Sequence, residues 1–326
     1  MKLYLSAFLA SFCFSVAIGY VVIPILRRLR LGQNILNYVT EHNYKSGTPT
    51  MGGIIFMLST VIAFFVFSDG SKYLSYVSIA VGVSYMGVGF LDDFLKIKLK
   101  QNKGLGGWQK TFFELLIAVI ISVVCLTRGL TEIHLPFFNK TVDLGLWFVP
   151  ICIFVFLATT NSVNLTDGLD GLAGGVTYIF FAVIGVIICI QSPKTYLGTA
   201  FSEYKNLSLL CFALSGSLIG YLLYNTHKAS VFMGDTGSLA LGGLVAIISI
   251  VSGNLLFIPI IGIIYVLSSI SVIMQVIYFK KTGKRIFLMA PLHHHFQHKG
   301  FDESKIAVIY KLVTLFLGLI CIISYL

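Results

Sequence analysis

Residues 73–100 read YLSYVSIAVGVSYMGVGFLDDFLKIKLK. The first 19 of them, Tyr73–Leu91, carry no charge. As α-helix at about 1.5 Å per residue they reach roughly 28 Å, which just crosses a hydrocarbon core about 30 Å thick. Asp92 and Asp93 then arrive at the membrane boundary, where a carboxylate avoids the roughly 2.5–3.5 kcal/mol cost of insertion at the bilayer centre. If the helix continues, Asp92, Lys96 and Lys100 fall at i, i+4 and i+8 on one face. Adjacent carboxylates repel, and either the neighbouring lysines or a divalent cation relieves that repulsion. Taken alone, the segment fits a solvated helix end with ion pairs as well as a cation-binding boundary.

Outward from this segment the same pattern recurs. Apolar runs at about 3–26, 51–67, 73–91, 111–127, 147–160, 173–190, 207–224, 237–252, 255–279 and 306–326 predict an all-α polytopic membrane protein of about ten transmembrane helices. They form a single domain over 1–326, and the fifth helix is expected to run on towards Asn164. The first run outlasts the apolar core of a signal peptide and ends at Pro24 and Arg27-Arg28, so it is expected to stay as a span. Composition agrees: 57% of the 326 residues are hydrophobic, 11% are charged and mean hydropathy is +0.91. A soluble surface needs about 25% charged residues. Sixteen Lys and Arg fall in one set of loops against six in the other, which predicts both ends of the chain outside and the basic face in the cytoplasm. The net charge of +10 is thereby a topology signal, and no nucleic-acid partner is indicated. Six cysteines lie inside apolar runs without C-x-x-C spacing, which supports packing rather than zinc or disulfides. Residues 129–146 suggest a short hairpin on the outer side.

The chemistry collects at one face. Six of eight aspartates lie on the cytoplasmic side and four of seven histidines lie in one cytoplasmic loop, whereas a transporter tends to keep ionisable groups near mid-membrane. In NSVNLTDGLDGLA, residues 161–173, Asn164, Asp167 and Asp170 recur every third residue and can share a face, with glycines that admit a close ligand; a helix cap is the plainer use. Asp235 in FMGDTGSLALGG, residues 232–243, suits either a helix cap or a metal. KSGTPTMGG, residues 45–53, offers either backbone N–H groups to phosphate or a flexible turn. It is no Walker A loop, and no G-x-G-x-x-G occurs. In APLHHHF, residues 290–296, a loop aims at most two of His293, His294 and His295 at a ligand; a transition metal and surface histidines are the other readings.

These five segments, in this order, closely resemble the phospho-N-acetylmuramoyl-pentapeptide transferases, within the superfamily of polyprenyl-phosphate N-acetylhexosamine-1-phosphate transferases. The resemblance implies a bacterial inner-membrane enzyme that moves the phospho-sugar of UDP-N-acetylmuramoyl-pentapeptide to undecaprenyl phosphate. The products are lipid I and UMP, in peptidoglycan synthesis, with Mg2+ required and a possible homodimer. Carried over residue by residue, it implies Asp235 as the metal ligand and Asp92, beside Asp93, as a base or positioning group for the lipid phosphate. Asn164, Asp167 and Asp170 would organise the nucleotide–diphosphate site, and Lys45, Lys96 and Lys100 would contact phosphate. His293 and His294 would serve catalysis, and His295 substrate binding. One departure is Gln297, where the resemblance leads one to expect an acid. A sister transferase using UDP-N-acetylglucosamine would share the aspartate motifs but not the histidine loop. A transporter predicts charges within spans, and only Glu114 and Lys311 lie there. An ion pair with Lys110 would account for Glu114, and snorkelling for Lys311.

Overall fold

The apolar runs form helices because at membrane depth an unpaired N–H or C=O costs several kcal/mol, and a helix pairs them all internally. The computed structural model describes residues 1–29, 47–99, 104–138, 140–195 and 198–325. Twelve helices are present among these residues: α1 (Lys2–Arg28), α2 (Gly53–Phe67), α3 (Tyr73–Lys98), α4 (Gly107–Thr127), α5 (Phe148–Thr166), α6 (Leu172–Thr195), α7 (Gly198–Asn225), α8 (Gly234–Val251), α9 (Ile258–Ile261), α10 (Ile263–Thr282), α11 (Leu292–His298) and α12 (Glu303–Ile323). Nine are long and apolar enough to cross a membrane. α2, with 15 residues, reaches only about 22 Å, yet it runs between the same two faces. Gly52 N–H, at its start, donates to the Phe232 carbonyl at 2.9 Å, and Asp69, past its end, pairs with Asn206 and Lys205 at the opposite face. The expected hairpin is present: β1 (Glu132–His134) pairs antiparallel with β2 (Thr141–Asp143), with Ile133 opposite Val142.

The fifth helix does run on, to Thr166. The ninth expected run does not stay whole. Pro259 opens α9 in its first turn, and the run breaks at Gly262 before α10, where the Ile258 carbonyl lies in the place a side chain would take, so that glycine fits the break.

α8 is the axis of the molecule. It packs against α3 and α5 and is the most enclosed of the candidate spans. Close approach is possible because a side chain at Gly89 of α3 would run into the Asp235 carbonyl. That contact brings the end of α3, with Asp92 and Asp93, onto the N-terminus of α8.

Both ends of the chain lie at the hairpin face, opposite this junction. α1 runs parallel to α7, with Phe8 beside Gly216, Phe12 beside Gly220 and the Tyr224 hydroxyl donating to the Val16 carbonyl at 2.7 Å. Near the other end, the Tyr325 hydroxyl bonds Asn254 at 3.2 Å, one residue from Gly253, whose carbonyl accepts from His134 of the hairpin at 2.8 Å.

Candidate active site

The first turn of α8 leaves N–H groups without helical partners, and a carboxylate there also complements the helix dipole. Asp93 supplies it from α3. Its oxygens accept from Asp235 N at 3.3 Å, Thr236 N at 3.0 Å and the Thr236 hydroxyl at 2.7 Å, and the side chain is fully buried. With the helix capped from outside, the Asp235 carboxylate is free to face the site. Asn164 Nδ2 donates to its Oδ1 at 2.7 Å, while Lys96 Nζ and Lys110 Nζ approach its Oδ2 at 3.0 and 3.2 Å.

Lys96 also lies 2.6 Å from Asp92 Oδ2, so the i, i+4 spacing read from the sequence does bring this pair together. The second Asp92 oxygen accepts from Leu105 N at 2.7 Å and ties down the loop into α4. Asp92, Asp93 and Asp235 thus bring carboxylate oxygens within 4.8 Å of one another, with two ammonium groups against them.

Such an all-oxygen set is the donor chemistry of a hard divalent cation such as magnesium. The fit is best at Asp235 and Asp92, which face the ammonium groups. Asp93 is spent on the helix cap.

Lys110 was not among the candidate site residues. A lysine in the first turn of α4 runs against that helix's dipole, and this was the available signal. The ion pair expected between Lys110 and Glu114 is not formed. Lys110 turns to Asp235, and Glu114 Oε2 instead accepts from Asn161 Nδ2 at 2.8 Å and Thr160 at 3.4 Å.

The NSVNLTDGLDGLA segment divides its work. Asn164 joins Asp235 and also reaches Ser238 at 2.8 Å. Asp167 follows the last turn of α5, partly buried, and no hydrogen bond reaches its carboxylate among the described residues. Burial, then the negative charges of Asp235, Asp93 and Asp170, push its pKa well above the usual carboxylate range. Asp170 turns away from the carboxylate cluster. Its Oδ2 accepts from Ala229 N at 3.1 Å, and its own N–H donates to Glu303 at 2.7 Å. It therefore ties the α5–α6 loop to the segment before α8 and to α12. Asp170, His227 and Glu303 form a second group with closely spaced ligand atoms.

The histidines also separate. His293 is fully buried with neither ring nitrogen hydrogen-bonded among the described residues, and its Nε2 packs on Gly168. Burial, with the neighbouring His294, lowers its pKa to about 3, so it is neutral. The His294 ring is 4.4 Å from that of His293, and its Nδ1 bonds Gln297 at 2.9 Å. His295 faces away: its Nδ1 accepts from Leu288 N at 3.1 Å, and its ring meets Phe287. This placement commits its Nδ1 to the loop before α11.

Lys45 and Lys100 lie outside the described residues. The rest of their glycine-rich neighbour is committed: Gly52 and Gly53 N–H groups donate to Phe232 and Met233 carbonyls, and Phe232 N donates to the Pro49 carbonyl. The expectation that this backbone offers N–H groups to phosphate is therefore corrected at Gly52 and Gly53, whose donors are already paired. The alternative of a flexible turn fails too, because Pro49, Thr50, Met51, Gly52 and Gly53 are all buried.

The described residues thus form a bundle of apolar helices with a cluster of carboxylates and ammonium groups at one end. Residues 74–253 match glycosyl transferase family 4, and residues 45–57 match the phospho-N-acetylmuramoyl-pentapeptide-transferase signature 1. Among curated proteins, the phospho-N-acetylmuramoyl-pentapeptide-transferase of Caldanaerobacter subterraneus subsp. tengcongensis is 45% identical over 310 residues, covering 95% of this chain and 94% of its own. Those of Clostridium botulinum and Clostridium novyi are each 43% identical, over 98% and 99% of this chain and 95% and 97% of theirs. The chain belongs to the phospho-N-acetylmuramoyl-pentapeptide-transferase family.

Proposed function

We propose that this chain transfers phospho-N-acetylmuramoyl-pentapeptide from its UDP-linked form to undecaprenyl phosphate at the cytoplasmic face of the bacterial plasma membrane. An oxygen of the lipid phosphate attacks the sugar-linked phosphorus of the donor. The bond to the other phosphate breaks, and UMP leaves with its electron pair, giving lipid I. One observation carries this reading: a cluster of three carboxylates and two ammonium groups at the end of membrane helices, where a water-soluble nucleotide and a lipid phosphate can meet.

Phosphoryl transfer depends on positioning and on neutralising phosphate charge. Lys96 and Lys110 supply fixed positive charge, and Asp235, oriented by Asn164, is the metal ligand. Bound Mg2+ would neutralise the donor's diphosphate. Asp92 orients the lipid phosphate, or takes its proton where one remains; at about pH 7 that phosphate is already largely ionised. Asp167 lies beside the diphosphate, with Lys45 and Lys100 as further phosphate contacts. His293 and His294 meet the donor through its phosphate or peptide carboxylates. The basic face is cytoplasmic, and both ends of the chain are outside.

The test is UMP release by purified protein given undecaprenyl phosphate, Mg2+ and each UDP-sugar in turn. Release with the pentapeptide donor alone, abolished by EDTA, is the expected result. Release with UDP-N-acetylglucosamine instead would overturn the donor assignment, and no release from folded protein would overturn the reaction.

A further inference from the structure

Beyond the active site, the segment between α10 and α11 combines features that no step of the proposed reaction uses. α10 ends in Lys280 and Lys281, and Gly283 takes a left-handed conformation (φ 68°) that reverses the chain. Lys284 and Arg285 follow at once, so four cations fall within six residues. All four are exposed, and none forms an ion pair with a carboxylate among the described residues; the Arg285 guanidinium only folds back to the Leu288 carbonyl at 3.3 Å.

The reversed chain is held against α10. Gln275 Oε1 accepts from the N–H groups of Ile286 and Phe287 at 3.1 and 3.0 Å, and its Nε2 donates to the Phe287 carbonyl at 3.1 Å. Gln275 lies seven residues before Thr282, so this clamp sits about 11 Å back from the helix end at 1.5 Å per residue. It brings residues 286–288 back along the apolar part of α10 and leaves the four cations near its tip. Ile286 and Leu288 are 42% and 50% exposed, and Phe279, on the stretch of α10 between the clamp and the cations, is 51% exposed. Apolar side chains held along the flank of α10, below a cluster of cations at its tip, form a surface in two tiers. Lipid tails fit the lower tier and negatively charged headgroups the upper one, since clustered Lys and Arg beside a span attract anionic lipid.

We infer that residues 279–288 form a docking surface for anionic phospholipids of the bilayer, with headgroup phosphates held by Lys280, Lys281, Lys284 and Arg285 and tails packed on Phe279, Ile286 and Leu288. The surface lies on the same face as the active site, because the chain continues directly into α11, whose His293 rests on Gly168.

The test uses the full chain in nanodiscs with Ile286→Trp as reporter, the emission of the unsubstituted chain being subtracted. Discs are made from mixtures in which either phosphatidylglycerol or phosphatidylcholine carries brominated tails. The inference expects quenching by brominated phosphatidylglycerol to exceed that by brominated phosphatidylcholine at equal mole fraction. Each nearby cation contributes about a fivefold preference in lipid partitioning. Replacing Lys280, Lys281, Lys284 and Arg285 together with Gln is expected to bring the two into line, while quenching by phosphatidylcholine persists. An unchanged melting temperature shows that this variant is folded. Equal quenching by both lipids in the chain with its cations intact would overturn the inference. So would no quenching by either, which would put the loop in solvent or against a soluble partner. A preference that arises only when undecaprenyl phosphate is added would transfer the surface to the substrate and likewise overturn it.

Discussion

Asp93 accepts three hydrogen bonds from the first turn of α8, whereas Asp92 divides its oxygens between a loop N–H and Lys96. The two neighbours should therefore fail differently. Asp93→Ala strands two N–H groups and a hydroxyl in a buried place, where each bond to a charged group contributes about 1.5–3 kcal/mol. Its melting temperature in detergent should fall well below that of Asp92→Asn, and Asp93→Asn should recover part of the loss. Asp92→Asn keeps an oxygen for Leu105, so it should fold normally and lose about 100-fold or more in turnover. Equal melting temperatures for Asp93→Ala and Asp92→Asn would refute the capping role. Asp235→Ala is expected to stay folded in the membrane and to lose Mg2+-dependent UMP release. His293 gives a pH prediction. Its folded pKa, about 3, lies below the unfolded value near 6.5, so the unfolded chain binds the proton first. The stability that His293 contributes is complete above pH 6.5 and is lost as pH falls towards 3, at roughly 1.4 kcal/mol per unit. Melting temperature should drop from pH 7.5 to 5.5, and His293→Asn should shrink that drop; an unchanged drop would assign the proton elsewhere.

At the scale of elements, the site is a junction of helix ends held by close backbone contacts. α3 reaches α8 at Gly89, and α11 reaches the α5–α6 loop at Gly168. A methyl group at 168 would strike His293 Nε2 and lie 3.0 Å from His294 Nε2. Gly168→Ala should therefore displace α11 and raise the KM for the UDP-linked donor while leaving the KM for undecaprenyl phosphate nearly unchanged. A proportional rise in both would point to a general loss of structure. These junctions also mark where reading the sequence stops. Spacing along one helix shows which side chains share a face, and so Asp92 with Lys96 was legible. Pairing between helices leaves no such periodic trace: Lys110 and Asp235 are 125 residues apart and meet only after α3, α4 and α8 have packed. For the same reason Asn164, Asp167 and Asp170 looked like one set at three-residue spacing. The chain leaves α5 at Asp167, and Asp170 is drawn to Ala229 and away from Asp235. The backbone donors of Gly52 and Gly53 looked free for phosphate because the Phe232 and Met233 carbonyls that take them lie some 180 residues on.

For the whole molecule, the apolar runs were legible because lipid leaves few choices: a chain of this hydropathy crosses as helices. The count of Lys and Arg adds a direction that no internal contact encodes. The geometry puts both ends of the chain and the β1–β2 hairpin at one face and the carboxylate cluster at the other. We propose from the charge asymmetry that the second face is the cytoplasmic one, because Lys and Arg beside spans are retained on that side. Reporters placed along the chain test this as a whole. Alkaline phosphatase, active only outside the cytoplasm, should be active when fused after Tyr325 and inactive when fused after Lys284 or Lys228. A fluorescent protein that matures only in the cytoplasm should give the reverse pattern. The same pattern bears on α2, the helix too short to be counted by length alone. If α2 crosses, a fusion after Ser71 reports outside, like Tyr325. A cytoplasmic signal there would mean that α2 turns back within the membrane, which would leave α3 carrying Asp92 and Asp93 to the wrong side for a cytoplasmic nucleotide donor.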